Sequence, residues 1–142
     1  MNELSSESDT SVTRILVVDD IADNYILLQT ILELEGYLVE VTDSSYAALE
    51  MIEVNRPDLI LLDVMMPEIN GFEMTRRIRR NNRLPFIPIL LVTAYREIEE
   101  SKAFYTGANG LLYQPINPDL LLKQVRTILN NFNNYQAIIT FC

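Results

Sequence analysis

The stretch "DLILLDVMMPEINGFE", residues 58–73, decides the fold. It opens with an apolar run, Leu59 to Leu62, that is short enough for a buried strand and too short for a helix. The run stops on a carboxylate, Asp63. A turn containing Pro67 follows, and then "GFEMTRRIRRN" (71–81) has apolar residues at helical spacing. A strand that ends in an acid and passes through a turn into a helix is one βα unit.

The same unit recurs on both sides. "RILVV" (14–18) is a strand followed by a helix over 21–35, with Ile21, Leu27, Leu28, Ile31 and Leu32 apolar and Gly36 at its C-cap. "YLVEVT" (37–42) precedes a helix over 44–54 that Ser44 or Ser45 caps. "FIPILLVT" (86–93) precedes a helix over 96–107, and "GLLY" (110–113) precedes a helix opened by Asn117, Pro118 and Asp119. Five such units imply an α/β fold: a five-stranded parallel sheet with helices on both faces.

The chain has 142 residues, enough for one domain with a substantial core. Residues 1–12 read as a disordered lead-in, 13–131 as the domain and 132–142 as an apolar tail. Net charge is −9, which argues against direct nucleic-acid or anionic-membrane binding. No apolar run approaches the roughly 20 residues of a membrane span. Histidine is absent and the one cysteine is Cys142. That removes histidine catalysis and internal disulfides, and a cytoplasmic location is the simplest expectation. The arginines of "RRIRR" (76–80) and Arg83 are expected to form a solvated helix face.

Ligands of an open α/β sheet bind beyond the C-terminal ends of its strands. Strand 1 ends in Asp19 and Asp20, strand 3 in Asp63, strand 4 in Thr93 and strand 5 in Gln114. Strand 2 ends in Thr42 and Asp43, which an edge position keeps apart. Three converging carboxylates repel unless a cation joins them. A hard divalent ion with oxygen ligands meets that need, and Mg²⁺ fits best because it keeps positions open for water and phosphate. A carboxylate beside Mg²⁺ can attack a phosphoryl group. The turn "DDIADN" (19–24) has no glycine, so a nucleotide-cradling loop is not expected there.

In order, "ILVVDD", "DLILLDVMMPEINGFE", "ILLVTA" and "GANGLLYQP" resemble the motifs of a response-regulator receiver domain, the type seen in the chemotaxis response regulator. The resemblance covers about residues 13–131. It implies a flavodoxin-like sheet of order 2-1-3-4-5. It implies that Asp63 accepts a phosphoryl group, that Asp20 binds Mg²⁺ directly, and that Asp19 binds it directly or through water. Asp63 then also takes part in the metal site, the Met65 carbonyl supplies a further protein ligand, Thr93 transmits the change, and the Gln114–Pro115 bond is cis. The implied partners are a sensor histidine kinase or histidine phosphotransfer protein upstream and a further protein downstream, met over helix 4, strand 5 and helix 5. The implied role is that of a stand-alone switch rather than an enzyme.

Three positions depart from the family pattern. Gln114 stands where the family has lysine, Leu111 stands at its switching aromatic, and Asn70 replaces an acid. A lysine about 4 Å from phosphate attracts it by about 4 kcal/mol before desolvation. An amide donates a hydrogen bond but no charge. Gln114 therefore reads as a tolerated substitution or as the mark of a phosphorylation-independent interaction module. A lesser reading has Arg96 swing in to replace the lysine. Bulky Met65 and Tyr95 flank the expected site and suggest slow dephosphorylation. The tail "AIITFC" (137–142) has strand-forming character and is expected to cap an apolar surface or pair with a second chain, as in a homodimer.

Overall fold

Five parallel strands pair in the order β2-β1-β3-β4-β5. They are β1 (Arg14–Val18), β2 (Leu38–Thr42), β3 (Leu59–Asp63), β4 (Ile89–Thr93) and β5 (Gly110–Tyr113). The helices between and after them are α1 (Ala22–Leu34), α2 (Ser45–Val54), α3 (Gly71–Arg80), α4 (Glu100–Thr106) and α5 (Pro118–Phe141). The computed structural model describes residues 12–141, the last seven of them by backbone alone, so most of the expected lead-in lies outside the described residues. The sheet order is the one the sequence implied. It reverses direction beside β1, so the loops after β1 and β3 leave on opposite faces and open a crevice between them.

β3 and β4 are buried along their whole length, as central strands of a doubly covered sheet must be. Side chains alternate between two cores. Leu16, Val18, Ile60, Leu62, Leu91 and Leu111 pack under α2, α3 and α4. Ile15, Val17, Leu61, Leu90, Val92 and Leu112 pack under α1 and α5.

The local signals mostly act as expected. Ser44 Oγ accepts from the Ala47 N–H and caps α2. Asn117 Oδ1 accepts from the Leu120 N–H at the start of α5. Gly36 follows α1 at φ +98°, the left-handed turn that favours glycine. Asn70 Oδ1 accepts from the Glu73 N–H, so it caps α3 as an acid would.

Four expectations need correction. α4 begins at Glu100 rather than Arg96, because Tyr95 to Ile98 closes a turn through the Ile98 N–H to the Tyr95 carbonyl. β4 begins at Ile89 rather than Phe86, since Pro88 has no N–H for the ladder. Ile21 and Leu27 are exposed, not core-facing; Leu28 and Leu32 carry the buried stripe of α1. The tail is not strand-like up to Phe141: α5 runs through residue 131 without a break. Extending a formed helix fixes one residue per hydrogen bond gained, so propagation prevails over a modest β preference.

The arginine face of α3 is solvated as expected except at Arg79. Arg77 and Arg80 are exposed, Arg76 and Arg77 form surface pairs with Glu73, and Arg83, just beyond the helix, pairs with Glu53. Arg79 is half-buried and donates to the Gly107 carbonyl at 2.9 Å, the Ile87 carbonyl at 2.7 Å and Asn109 Oδ1 at 3.0 Å. Its guanidinium also lies 4.2 Å from the Phe86 ring centroid. Burial lowers its pKa to about 10, which leaves it charged at neutral pH. This side chain staples α3 to the loops before β4 and β5, at the end of the sheet opposite the acids. Replacing Arg79 with Met is expected to cost about 2–3 kcal/mol in urea unfolding, because it strands buried carbonyls. Arg79→Lys should recover only part of that, since an ammonium cannot reach all three acceptors. Unchanged stability of Arg79→Met would refute the staple.

Candidate functional site

Asp63 and Thr93 are the last residues of β3 and β4, Asp19 directly follows β1, and all three are buried. One local device recurs there. Asp19 Oδ1 accepts from the Ile21 N–H at 2.9 Å, Asp63 Oδ1 from the Met65 N–H at 3.1 Å, and Thr93 Oγ1 from the Tyr95 N–H at 3.1 Å. Thr42 does the same with Ser44 at the edge strand. A side chain that bonds the N–H two residues on turns the chain out of the sheet and fixes its own rotamer. So four strand ends carry a side-chain oxygen committed to the turn, and only the carboxylates of Asp19 and Asp63 keep a second one.

The second oxygens are what remain for chemistry. One oxygen from each of Asp19, Asp20 and Asp63 lies within 4.8 Å of the others. Asp19 Oδ2 is buried with no hydrogen-bond partner among the described residues. Burial raises the Asp19 pKa from 3.8 to about 6, the charges of Asp63 and Asp20 add to the rise, and the Ile21 N–H and the nearby Asn24 side chain oppose it. Asp63 is raised for the same leading reason, with Asp20 adding to it and the Met65 N–H opposing. A buried carboxylate oxygen left without a donor, beside two like charges, is the donor set a hard divalent cation satisfies. The residues present therefore fit Mg²⁺.

The β3–α3 loop carrying Met65 is held from two sides. Glu68 Oε1 accepts from Ser44 Oγ and the Ser45 N–H, and Ser45 Oγ donates to the Ile69 carbonyl. The Gly71 N–H donates to the Val64 carbonyl at 2.8 Å. A Cβ on Gly71 would stand 2.8 Å from the Asp63 carbonyl oxygen, so only glycine lets α3 approach the end of β3 this closely.

Gln114 follows β5, its N–H donates to the Thr93 carbonyl at 2.8 Å, and the Gln114–Pro115 bond is cis. Leu111 is placed in the apolar core and takes no part in the polar rim. Tyr113, two residues further on the same face, was missed in the sequence. Its hydroxyl donates to the Ile98 carbonyl, and Arg96 lies over its ring at 5.4 Å. The period of two that puts 111 and 113 on one face was the available signal.

Comparison with known proteins places this geometry. The family model "Response regulator receiver domain" matches residues 15–126. An uncharacterized 14.6 kDa protein of Leptolyngbya boryana is 39% identical over 113 residues, covering 79% of this chain and 86% of that one. Response regulator PleD of Caulobacter vibrioides is 38% identical over 116 residues, covering 81% of this chain and 26% of PleD. A solved CheY-like response regulator receiver domain protein from Methanospirillum hungatei superposes with TM-score 0.80 at 30% identity, covering 88% of this chain and 99% of that one. The chain belongs to the response-regulator receiver domain family of two-component signalling. It spans 26% of PleD and about half the length of several other curated relatives it matches.

The raised Asp19 pKa has a definite sign. The folded chain binds this proton more tightly than the unfolded chain, so the contribution to stability is full below about pH 4 and is lost as pH rises through about 6. In metal-free buffer, Asp19→Asn is expected to melt above wild type at pH 7 and to lose that advantage toward pH 4. Millimolar Mg²⁺ should raise the wild-type melting temperature at pH 7 and leave Asp19→Asn nearly unmoved. Identical pH profiles for the two chains, with or without Mg²⁺, would contradict this.

Proposed function

We propose that this chain is a phosphoacceptor switch that takes a phosphoryl group from a phosphohistidine onto Asp63. The observation that carries the reading is the clustering of the Asp19, Asp20 and Asp63 oxygens within 4.8 Å at the sheet's crevice. The carboxylate of Asp63 attacks phosphorus, a P–O bond forms, and the P–N bond of the donor breaks. Asp19, Asp20 and the Met65 carbonyl would hold a Mg²⁺, which offsets negative charge on the transferring group. The Thr93 hydroxyl, already accepting from Tyr95, keeps its proton free to donate to a phosphoryl oxygen. Half-exposed Met65 and Tyr95 at the rim hinder water and prolong the acyl phosphate.

The reading is of a switch and not of a turnover enzyme. Upstream it pairs with a histidine kinase or phosphotransfer protein. Output passes to a downstream protein over α4, β5 and α5. A hollow of about 350 Å³ lies there, lined by Phe104, Leu111, Leu120 and Ile128 among others. Phe104 and Leu120 stand about half exposed beside it, and Tyr105 is almost wholly exposed. No helix among the described residues is long and apolar enough to cross a membrane.

The test is uptake of beryllium fluoride, a phosphoryl mimic, in the presence of Mg²⁺. Native chain should bind it and Asp63→Asn should not, with partner capture from the native chain changing on binding. Binding by Gln114→Lys alone, with no response from the native chain, would show that the site does not work as it stands. Partner capture indifferent to Asp63→Asn would favour a phosphorylation-independent interaction module.

A further inference from the structure

Phosphorylation makes the charge problem of this site worse. It replaces the single charge of the Asp63 carboxylate by about −1.5 to −2, beside Asp19 and Asp20. One divalent cation leaves roughly two negative charges unbalanced. Gln114 supplies none. The loops at this end of the sheet are residues 19–21, 43–44, 64–70, 94–99 and 114–117, and the one arginine or lysine on all five is Arg96.

Arg96 has a defined resting place. Its guanidinium lies over the Tyr113 ring, 5.4 Å from the centroid. Tyr113 pairs directly with Thr93 across β4 and β5, and Val92 pairs with Asp63 across β3 and β4. β5 is thus two strand spacings, about 10 Å, from the strand that bears Asp63. The loop that carries Arg96 starts at Thr93 and turns through Tyr95. A half-exposed cation–π contact is weak and is readily exchanged for charge-assisted hydrogen bonds to an anion.

We propose that Arg96 supplies the positive charge that Gln114 lacks: when Asp63 carries a phosphoryl group, the guanidinium leaves the Tyr113 ring and hydrogen-bonds the phosphoryl oxygens. This rests on the phosphoacceptor reading. The same movement uncovers Tyr113, whose hydroxyl holds the Ile98 carbonyl just ahead of α4. Thr93, Arg96, Tyr113 and Ile98 then form the route from Asp63 to the α4–β5–α5 face, in place of the aromatic that Leu111 replaces.

Calorimetric binding of beryllium fluoride with Mg²⁺, and of Mg²⁺ alone, tests it in the full chain. Arg96→Gln should weaken beryllium fluoride binding at least about tenfold while leaving Mg²⁺ affinity and the metal-free melting temperature as in wild type. Arg96→Lys should restore most of the loss, and so should Gln114→Lys added to Arg96→Gln. Native binding that survives Arg96→Gln intact overturns the inference alone. No binding by the native chain overturns it too. If Gln114→Lys also fails to bind, the phosphoacceptor reading falls with it.

Discussion

Asp19, Asp20 and Asp63 hold like charges at close range, two of them buried, and the rest of the site is arranged around that repulsion. Without a cation, burial pushes Asp19 up to about 6, and the neighbouring carboxylates add to the rise. Keeping such a cluster costs stability at neutral pH. A fold that retains it gains a donor set that a hard divalent ion satisfies. The sheet carries this cost because its middle strands are buried on both faces and fully paired.

The repeated turn at the strand ends is the means by which a sheet becomes a site. At the ends of four of the five strands a side chain accepts from the N–H two positions ahead. In Asp19 and Asp63 that bond commits one carboxylate oxygen to structure and leaves the other for the crevice. The close approach of Gly71 to Asp63 and the Glu68 tie to α2 then fix the one loop that bears a candidate backbone ligand. At the opposite end of the sheet, Arg79 joins three segments far from the chemistry.

Much of this was legible in the sequence, and for a physical reason. Strand type, strand-end chemistry and the caps at Ser44 and Asn117 depend on neighbours a few residues away, and local spacing encodes them. Arg79 was read as a solvated residue because its acceptors lie 8 to 30 residues away and no period links them. The start of α4 was misplaced because a tertiary bond from Tyr113 takes the Ile98 carbonyl. The tail was misjudged because β propensity was weighed without the helix already running into it. Tyr113 was overlooked because attention stayed on the aligned position, Leu111, rather than on the face the two share.

Gln114 leaves Asp19, Asp20 and Asp63 clustered, and on the proposed reading the open step is how β5 senses a change at Asp63. The central claim, that the acidic cluster makes Asp63 the nucleophile and needs a divalent ion to do so, has one direct measurement. The chain is treated with a small phosphodonor such as acetyl phosphate, with and without Mg²⁺. Any acyl phosphate is reduced with borohydride, and the modified residue is located by peptide mass. The account predicts modification at Asp63 alone, and only with Mg²⁺. Modification elsewhere, or at Asp63 without a divalent ion, would contradict it.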